Sequence, residues 1–160
     1  RLSINPQKLK DDFINQTTLS NIIKINFDKY NNKKIKLHIN VLTDNAEPFI
    51  KFKDELMYGI GNIIQNAIQH SKKIIKIYIS WTYRNLDVKI VDDGSGFTKE
   101  ILDNIGNPYI SRKSKDGMGL GIFIAKNLIE NIGGKILFRN NVDSNGSNVE
   151  IKLNKNNLIL

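Results

Sequence analysis

Two asparagines four residues apart are the first feature of this sequence that points to chemistry. Asn62 and Asn66 lie in NIIQNAIQHS (62–71), where the apolar residues otherwise follow the period of an amphipathic helix. Gly59 extends the same stripe and His70 flanks it. A solvent-facing stripe is usually filled with Lys and Glu, and both Asn and Gly weaken a helix. The stripe therefore favours a site lined by neutral amides, with a solvated face as the alternative.

A second signal lies in VDDGSGF (91–97), where a strand pattern ends in two aspartates followed by Gly-Ser-Gly. Asp92 at the strand end can accept hydrogen bonds from an exocyclic amine and from a neighbouring donor. Gly94 and Gly96 permit positive φ and a close approach to the backbone. A plain turn is the alternative, because Asp-Gly is common in turns.

A third signal is the alternation of Gly117, Gly119 and Gly121 in DGMGLGIFIAK, which opens a helical pattern. Free backbone N–H groups and a helix N-terminus both favour a phosphate group. The dinucleotide-binding fingerprint is excluded, because it requires glycine where this chain has Ile122.

A basic loop stands directly before these glycines. Arg112, Lys113 and Lys115 could clamp the terminal phosphate of a polyphosphate bound at the glycine turn. A solvated loop is the alternative. Each of the four signals is weak or moderate alone, and their order along the chain is the specific feature.

The composition sets the frame for these motifs. The chain has 160 residues, which suits one domain, and a formal net charge of +8. That charge indicates either an anionic partner or the codon bias of an AT-rich genome, and the basic residues lack the aromatic interleaving of a single-strand nucleic-acid binder. Without cysteine, disulfides and Cys-based zinc sites are excluded, and two histidines make a multi-histidine metal site improbable. The chain contains no stretch of 18 apolar residues, so no membrane-spanning helix is predicted.

Hydrophobic periodicity predicts which elements position the motifs. Two strand pairs separated by short turns imply hairpins, so the sheet should be mixed and mostly antiparallel. Amphipathic helices would cover one face, giving a two-layer α/β sandwich. The predicted helices are 18–31, 53–71, 98–104 and 119–132, and the predicted strands are 34–42, 49–51, 74–82, 86–92, 135–140 and 147–153.

The series of motifs closely resembles the ATP-binding domain of two-component sensor histidine kinases, within the GHKL superfamily. The resemblance covers residues 18–154 and implies the Bergerat ATP-binding fold. Residues 1–17 are then expected to be a linker from a dimerisation and phosphoacceptor domain, and 155–160 a C-terminal tail. ELMYGIGNIIQNAIQHS resembles the N box, VDDGSGF the G1 box, NPYISRKS a short F box and lid, and GMGLGIFIAKNLIENIGGKI the G2 box.

The resemblance also implies roles for individual residues at the base and the metal. Asn66 would ligate Mg²⁺ through its side-chain oxygen, and Asn62 would face the phosphates. Asp92 would accept a hydrogen bond from the adenine amine, with Gly94 and Gly96 letting the base lie close to the backbone. His70 stands where the family often has an aromatic residue and would stack on adenine. Ile101, Met118 and Tyr109, the last standing where phenylalanine is usual, belong to the implied nucleotide-binding set.

At the phosphate end, the resemblance assigns the lid and the glycine turn. Gly117, Gly119 and Gly121 would shape the lid hinge, and Leu120 with neighbouring amides would lie at the triphosphate. One of three cations would reach the γ-phosphate, namely Arg112, Lys113 or Lys115.

Position 62 separates two branches of the superfamily. The hydrolases usually carry a general-base Glu four residues before the metal-binding Asn, whereas Asn62 cannot take a proton from water. The resemblance therefore implies a histidine kinase that acts mainly by positioning and charge neutralisation. Neither His38 nor His70 matches the phosphoacceptor position. The lid and FIAKNLIENIGG further resemble the RegB-type redox-responsive sensor kinases.

Partners follow from the same resemblance. The chain begins with Arg1 and is expected to be a piece of a longer, homodimeric, membrane-anchored sensor protein, of which it is a cytoplasmic and monomeric part. Its own dimerisation domain and a downstream response regulator are the expected partners, with no nucleic acid and no direct membrane insertion. The alternatives are a catalytically silent nucleotide-binding scaffold and a basic nucleic-acid-binding module.

Overall fold

The computed structural model describes residues 16–105 and 118–158, and the elements follow the predicted order. Four helices and seven strands lie in these two ranges, with boundaries close to those predicted. In chain order they are β1 (Gln16–Thr17), α1 (Leu19–Tyr30), β2 (Lys36–Val41), β3 (Ile50–Lys51), α2 (Asp54–His70), β4 (Ile74–Trp81), β5 (Asn85–Asp92), α3 (Lys99–Asp103), α4 (Met118–Asn131), β6 (Lys135–Asn140) and β7 (Ser147–Asn154).

Five strands form the main sheet in the order β2-β4-β5-β7-β6. β2 and β4 run parallel, because α2 carries the chain back across the sheet between them, and the remaining neighbours run antiparallel. β1 and β3 form a separate two-stranded ladder. The predicted mixed and mostly antiparallel sheet is confirmed.

The core lies between one face of this sheet and the helices. Alternate residues of β4, β5 and β7 point toward it, so that Ile77 and Ile90 face each other across two strands and are almost completely buried. On the opposite face, Lys89 and Glu150 remain partly exposed. The apolar arc predicted for α2 is buried in the core and comprises Leu56, Ile60, Ile63, Ile64, Ala67 and Ile68.

Local sequence explains where the helices begin and how two of them join. Thr18 caps α1, since its Oγ1 accepts a hydrogen bond from the Asn21 N–H at 3.2 Å. Asn26 of α1 is buried and its Nδ2 donates to the Ile22 carbonyl at 3.0 Å and the Met57 carbonyl at 3.3 Å. A Cβ at Gly61 would lie 2.7 Å from Asn26 Oδ1, so this glycine gives the amide its space between α1 and α2.

The end of the described chain packs against the domain. Lys155–Asn157 form a single 3-10 turn, and Leu158 is 1% exposed. The Leu158 carbonyl accepts a hydrogen bond from the Lys51 N–H at 2.7 Å. The division of the chain at residues 17 and 154 stays a prediction. Within ranges 16–105 and 118–158, no helix has both the length and the apolar character to cross a bilayer.

Candidate functional site

Asp92, the last residue of β5, forms the buried centre of the site. Its side chain points inward because side chains alternate along a strand, and only 5% of the residue is exposed. Oδ1 accepts hydrogen bonds from the Gly94 N–H at 2.9 Å and the Ser147 N–H at 3.2 Å, and Oδ2 accepts one from the Ser147 hydroxyl. Three donors therefore fix a buried carboxylate in one orientation, which leaves it lone pairs to accept a bond from a ligand.

The turn between β6 and β7 closes over the same strand end. Asn141 Nδ2 donates to the Asp92 carbonyl and to the Asn145 carbonyl, both at 3.1 Å. Gly146 has a φ of +113°, and a Cβ there would lie 1.9 Å from the Asp92 carbonyl oxygen. Because only glycine fits this position, Gly146 allows the hairpin to press directly on the end of β5.

Asp93 has a different task from its neighbour. Its carboxylate accepts hydrogen bonds from the backbone N–H groups of Lys72 at 2.7 Å, Lys73 at 3.0 Å and Ile74 at 3.3 Å. Lys72 and Lys73 lie in the turn from α2 into β4, and Ile74 is the first residue of β4. Of the two aspartates in VDDG, one therefore belongs to the site and the other joins the site to the end of α2.

The two glycines after the aspartates are each crowded by protein atoms. A Cβ at Gly94 would lie 2.1 Å from the His70 carbonyl oxygen. Gly96 has a φ of +81°, and a Cβ there would lie 2.6 Å from Asn140 Oδ1. Both positions thus require glycine for packing within the protein. Their role in approaching a bound base stays a prediction.

Along α2, the residues Asn62, Asn66 and His70 follow one another at intervals of one helical turn. Asn66 Oδ1 and His70 Nε2 are buried and have no hydrogen-bond partner within the described residues. An unpaired buried polar atom costs about 1–3 kcal/mol, so native proteins rarely leave one without a ligand, ion or water. The face of α2 therefore offers two polar atoms to a partner beyond the described residues.

The start of α4 lies beside this face. Met118 is its first residue, Gly119 is buried and Leu120 is 47% exposed. A Cβ placed on Gly121 would lie 3.6 Å from Asn62 Oδ1, which is ordinary contact distance. Asn62 Nδ2 donates to the Tyr58 carbonyl at 2.8 Å. The structure thus brings the first turn of α4 against the middle of α2.

A small internal cavity connects α2 with the support of Asp92. Its wall includes Asn66, Phe97 and Ser147, together with apolar residues of α2, α4, β5 and β7. Ser147, which binds both oxygens of Asp92, and Asn66 therefore line the same cavity.

Other predicted site residues fall elsewhere or outside the description. Ile101 of α3 is 9% exposed and belongs to the hydrophobic core. Tyr109, Arg112, Lys113, Lys115 and Gly117 lie outside the described residues.

Sequence reasoning missed the contribution of the β6–β7 hairpin. Ser147 shares the inward face of β7 with Val149 and Ile151, so a polar residue at the inner end of an apolar row was a visible signal. Asn140 was predicted as the end of a strand and Asn141 as the first residue of a turn, and only the folded structure shows that they contact Phe97 and Asp92.

Comparison with known proteins supports the resemblance. The family described as Histidine kinase-, DNA gyrase B-, and HSP90-like ATPase matches residues 51–157. Sensor histidine kinase RegB of Cereibacter sphaeroides is 36% identical over 93 residues, covering 52% of this chain and 20% of RegB. Sporulation kinase D of Bacillus subtilis is 28% identical over 113 residues, covering 69% of this chain and 22% of that kinase. The matched region therefore spans about a fifth of these relatives.

Two solved structures agree with the fold. A mycobacterial sensor histidine kinase, MprB, has a TM-score of 0.71 at 16% identity, covering 87% of this chain and 95% of that one. The nucleotide-free catalytic domain of histidine kinase ThkA has a TM-score of 0.71 at 24% identity, covering 88% and 94%. Because the family match includes Asn62, Asn66 and Asp92 and most of the chain, this protein belongs to the histidine kinase-, DNA gyrase B- and HSP90-like ATPase family.

Proposed function

We propose that this chain is the ATP-binding catalytic domain of a two-component sensor histidine kinase. The observation that carries the proposal is Asn62, which lies one helical turn before Asn66 on the open face of α2. A hydrolase of this family needs a carboxylate there to take a proton from water, and an amide cannot do so. The relatives RegB and sporulation kinase D bear kinase names, which supports the same assignment.

Asp92 is suited to recognise the base of ATP. Its carboxylate is fixed by Gly94 and Ser147 and accepts hydrogen bonds only. Adenine presents an exocyclic amine donor, whereas guanine presents a carbonyl acceptor on the corresponding edge. The site is therefore expected to prefer ATP over GTP. His70, one turn beyond Asn66, is proposed to lie against the base.

Asn66 is suited to hold the Mg²⁺ that accompanies ATP. Its Oδ1 is a hard oxygen donor, buried and without a partner in the described ranges. No group of three or more His, Cys, Asp or Glu residues could hold a metal in those ranges. Mg²⁺ in nucleotide sites usually takes one or two protein oxygens and completes its shell with phosphates and water. When bound, Mg²⁺ would neutralise charge on the phosphates, and one amide oxygen is a sufficient anchor.

The phosphoryl acceptor is proposed to be a histidine of a separate dimerisation domain. Its imidazole nitrogen would form a bond to the γ-phosphorus as the bond to the ADP oxygen breaks, and ADP would leave with that electron pair. Asn62 then serves as a phosphate contact that needs no proton. Arg112, Lys113 and Lys115 are proposed to supply positive charge at the γ-phosphate, with Gly117, Gly119 and Gly121 at the lid hinge.

In the complete protein, this domain is proposed to work within a homodimer on the cytoplasmic side of the membrane. The phosphoryl group would then pass to a response regulator. The chain itself supplies nucleotide, metal anchor and geometry, and the dimerisation domain supplies the nucleophile. The two parts are therefore expected to work only together.

The test compares the isolated chain with the full-length protein, both given radiolabelled ATP and Mg²⁺. The isolated chain is expected to bind a non-hydrolysable ATP analogue and to label itself little or not at all. The full-length protein is expected to acquire an acid-labile phosphate on histidine. Robust labelling of the isolated chain, or nucleotide binding without any phosphohistidine in the full-length protein, would contradict the proposal. Steeply salt-dependent binding to DNA or RNA would instead favour a nucleic-acid module.

A further inference from the structure

We infer that Asn140, at the end of β6, is a positioning residue for the nucleotide site. Its side-chain amide holds the backbone of Phe97 and thereby fixes the far end of the loop that begins at Asp92. The inference rests on the proposed function, because it takes this loop as one wall of the base-binding site.

The contact between Asn140 and Phe97 has the form of a strand pair made by a side chain. Asn140 Oδ1 accepts a hydrogen bond from the Phe97 N–H at 2.7 Å, and Asn140 Nδ2 donates to the Phe97 carbonyl at 2.9 Å. Both polar groups of one backbone unit are thus bound by one amide across 43 residues of sequence. Phe97 does not belong to a strand, yet its backbone N–H and carbonyl are both paired, as they would be in a sheet.

The same strand holds Phe97 by its ring as well. Phe138, two residues before Asn140, lies on the same face of β6. Its ring meets the ring of Phe97 edge-on, with centroids 5.9 Å apart and planes at 83°. Such pairs add roughly 0.5–1.5 kcal/mol beyond the burial of area. β6 therefore fixes both the backbone and the side chain of Phe97.

The absence of a side chain at Gly96 makes room for the side chain of Asn140. The Gly96 φ of +81° is available mainly to glycine, and a Cβ at this position would lie 2.6 Å from Asn140 Oδ1. The second glycine of the DGSG loop is consequently explained by an amide from β6, which lies over the loop and leaves no room for a side chain.

Phe97 transmits this placement to the site. It lines the same internal cavity as Asn66 and Ser147. At the other end of the loop, Asp92 is held by Gly94 and Ser147. The loop is thus anchored at both ends, and Asn140 supplies the anchor that lies outside every motif singled out in the sequence.

The test measures the affinity of the 160-residue chain for ADP and for a non-hydrolysable ATP analogue by calorimetry. Asn140→Ala is expected to weaken both about tenfold, because the loop faces the base and the loss should not depend on the number of phosphates. Asn140→Asp keeps an acceptor for the Phe97 N–H but places a carboxylate oxygen against the Phe97 carbonyl, so it should also weaken both affinities. Hydrogen exchange at the Phe97 amide should be faster in Asn140→Ala than in Asn140→Asp.

Asn154→Ala is the matched control, since this asparagine at the end of β7 accepts only from the Asn156 N–H within the described contacts. It is expected to leave both affinities unchanged. Affinity of Asn140→Ala within twofold of the wild type, or a loss confined to the triphosphate, overturns the inference while leaving the proposed function intact. Failure of the wild-type chain to bind either nucleotide overturns both. If Asn140→Ala does not fold, the Asn140→Asp variant decides by the same criterion.

Discussion

The two halves of the site differ in how their polar atoms are satisfied. At the end of β5, the Asp92 carboxylate accepts three hydrogen bonds from the protein. The backbone carbonyl of the same residue accepts one from Asn141. On the face of α2, Asn66 Oδ1 and His70 Nε2 are buried and unpaired within the described residues. Among the described residues, the polar atoms of the first half are paired without a ligand, and those of the second half are not.

The difference fits the roles proposed for the two halves, a base contact at Asp92 and a metal anchor at Asn66. Recognition of a base needs an acceptor held in one direction before the ligand arrives, because ordering it afterwards would reduce affinity. A metal and phosphates bring their own charge and coordination, so the protein needs only to offer an oxygen in the right place. Removing a group from the paired half should therefore harm both fold and binding, whereas removing one from the open half should harm binding alone.

The largest effect is expected for Asp92→Asn. The amide can keep an oxygen at the Oδ1 position for the Gly94 and Ser147 N–H groups, but an NH2 group then replaces Oδ2, so the site loses the acceptor that it needs for the adenine amine. Affinity for an ATP analogue should fall more than about a hundredfold, equivalent to about 2.7 kcal/mol. Calorimetry measures the affinity and circular dichroism checks the fold. Asp93→Asn is the control, expected to lower the thermal midpoint with a much smaller loss of affinity; equal losses in both variants would contradict the division of roles.

Asn66→Ala should separate the two halves most cleanly. The change removes a buried oxygen without a partner and places a better helix former within α2, so the nucleotide-free thermal midpoint should stay the same or rise. The Mg²⁺-dependent part of ATP affinity should fall about tenfold or more. Titrations with and without Mg²⁺ measure it, and Gln65→Ala on the exposed side of α2 is the control. A marked drop in the midpoint would show that the open half is structural after all.

Ser147→Ala is expected to have a smaller effect, and to lower both the stability of the fold and the affinity for nucleotide. Asp92 Oδ2 loses its hydroxyl donor while Oδ1 keeps its backbone donors. The free energy of unfolding should fall by about 1–3 kcal/mol, which corresponds to roughly 2–4 °C for each kcal/mol in a domain of this size. Nucleotide affinity should fall several-fold. Ser147→Thr restores the hydroxyl and should recover both readings, and affinity lost without any change in midpoint would argue against a preformed half.

The smallest effect is expected on the open face of the sheet, at Asp87. Burial raises the pKa of Asp87 above its ordinary value, against the lowering influence of Lys152, and Glu150 raises it further. Because the folded state binds this proton more tightly, the resulting stability is full below the unfolded pKa and is lost as the pH rises through the folded pKa. Asp87→Asn should therefore remove that loss near neutral pH, changing unfolding by no more than about 0.5 kcal/mol.

Thermal unfolding of the Asp87→Asn variant at about pH 3 and at neutral pH measures this effect. The gain in stability over the wild type should appear only at the higher pH, because the wild-type Asp87 carboxylate is charged there and neutral at the lower pH. Nucleotide affinity should not change, because Asp87 faces away from the core and site. An affinity loss here would break the comparison, by showing that the site extends through the sheet.

Much of the fold could be predicted from the sequence, because periodicity is a local property. The apolar arc of α2 and the alternation in β4 and β5 define their buried faces without knowledge of any other element. The sheet order was not predictable in the same way, since pairing β5 with β7 rather than with β6, the next strand along the chain, depends on the packing of the whole chain. The strand at 49–51 was predicted, but its partner β1 was missed, because a strand of two residues carries no period.

The candidate site divides along the same line. By itself, the sequence determined that Asn62, Asn66, Asp92 and the glycines occur in an order typical of one family, and that position 62 lacks a carboxylate. Residue type and spacing are sufficient for that. Only the tertiary structure decided that Asp92 and Asp93 have separate partners. It also decided that Ser147 and Asn141 hydrogen-bond to Asp92, and that Asn140 hydrogen-bonds to the backbone of Phe97. These contacts join residues about 20 to 55 positions apart, and no local pattern specifies which distant hydrogen-bonding group will be brought to a strand end.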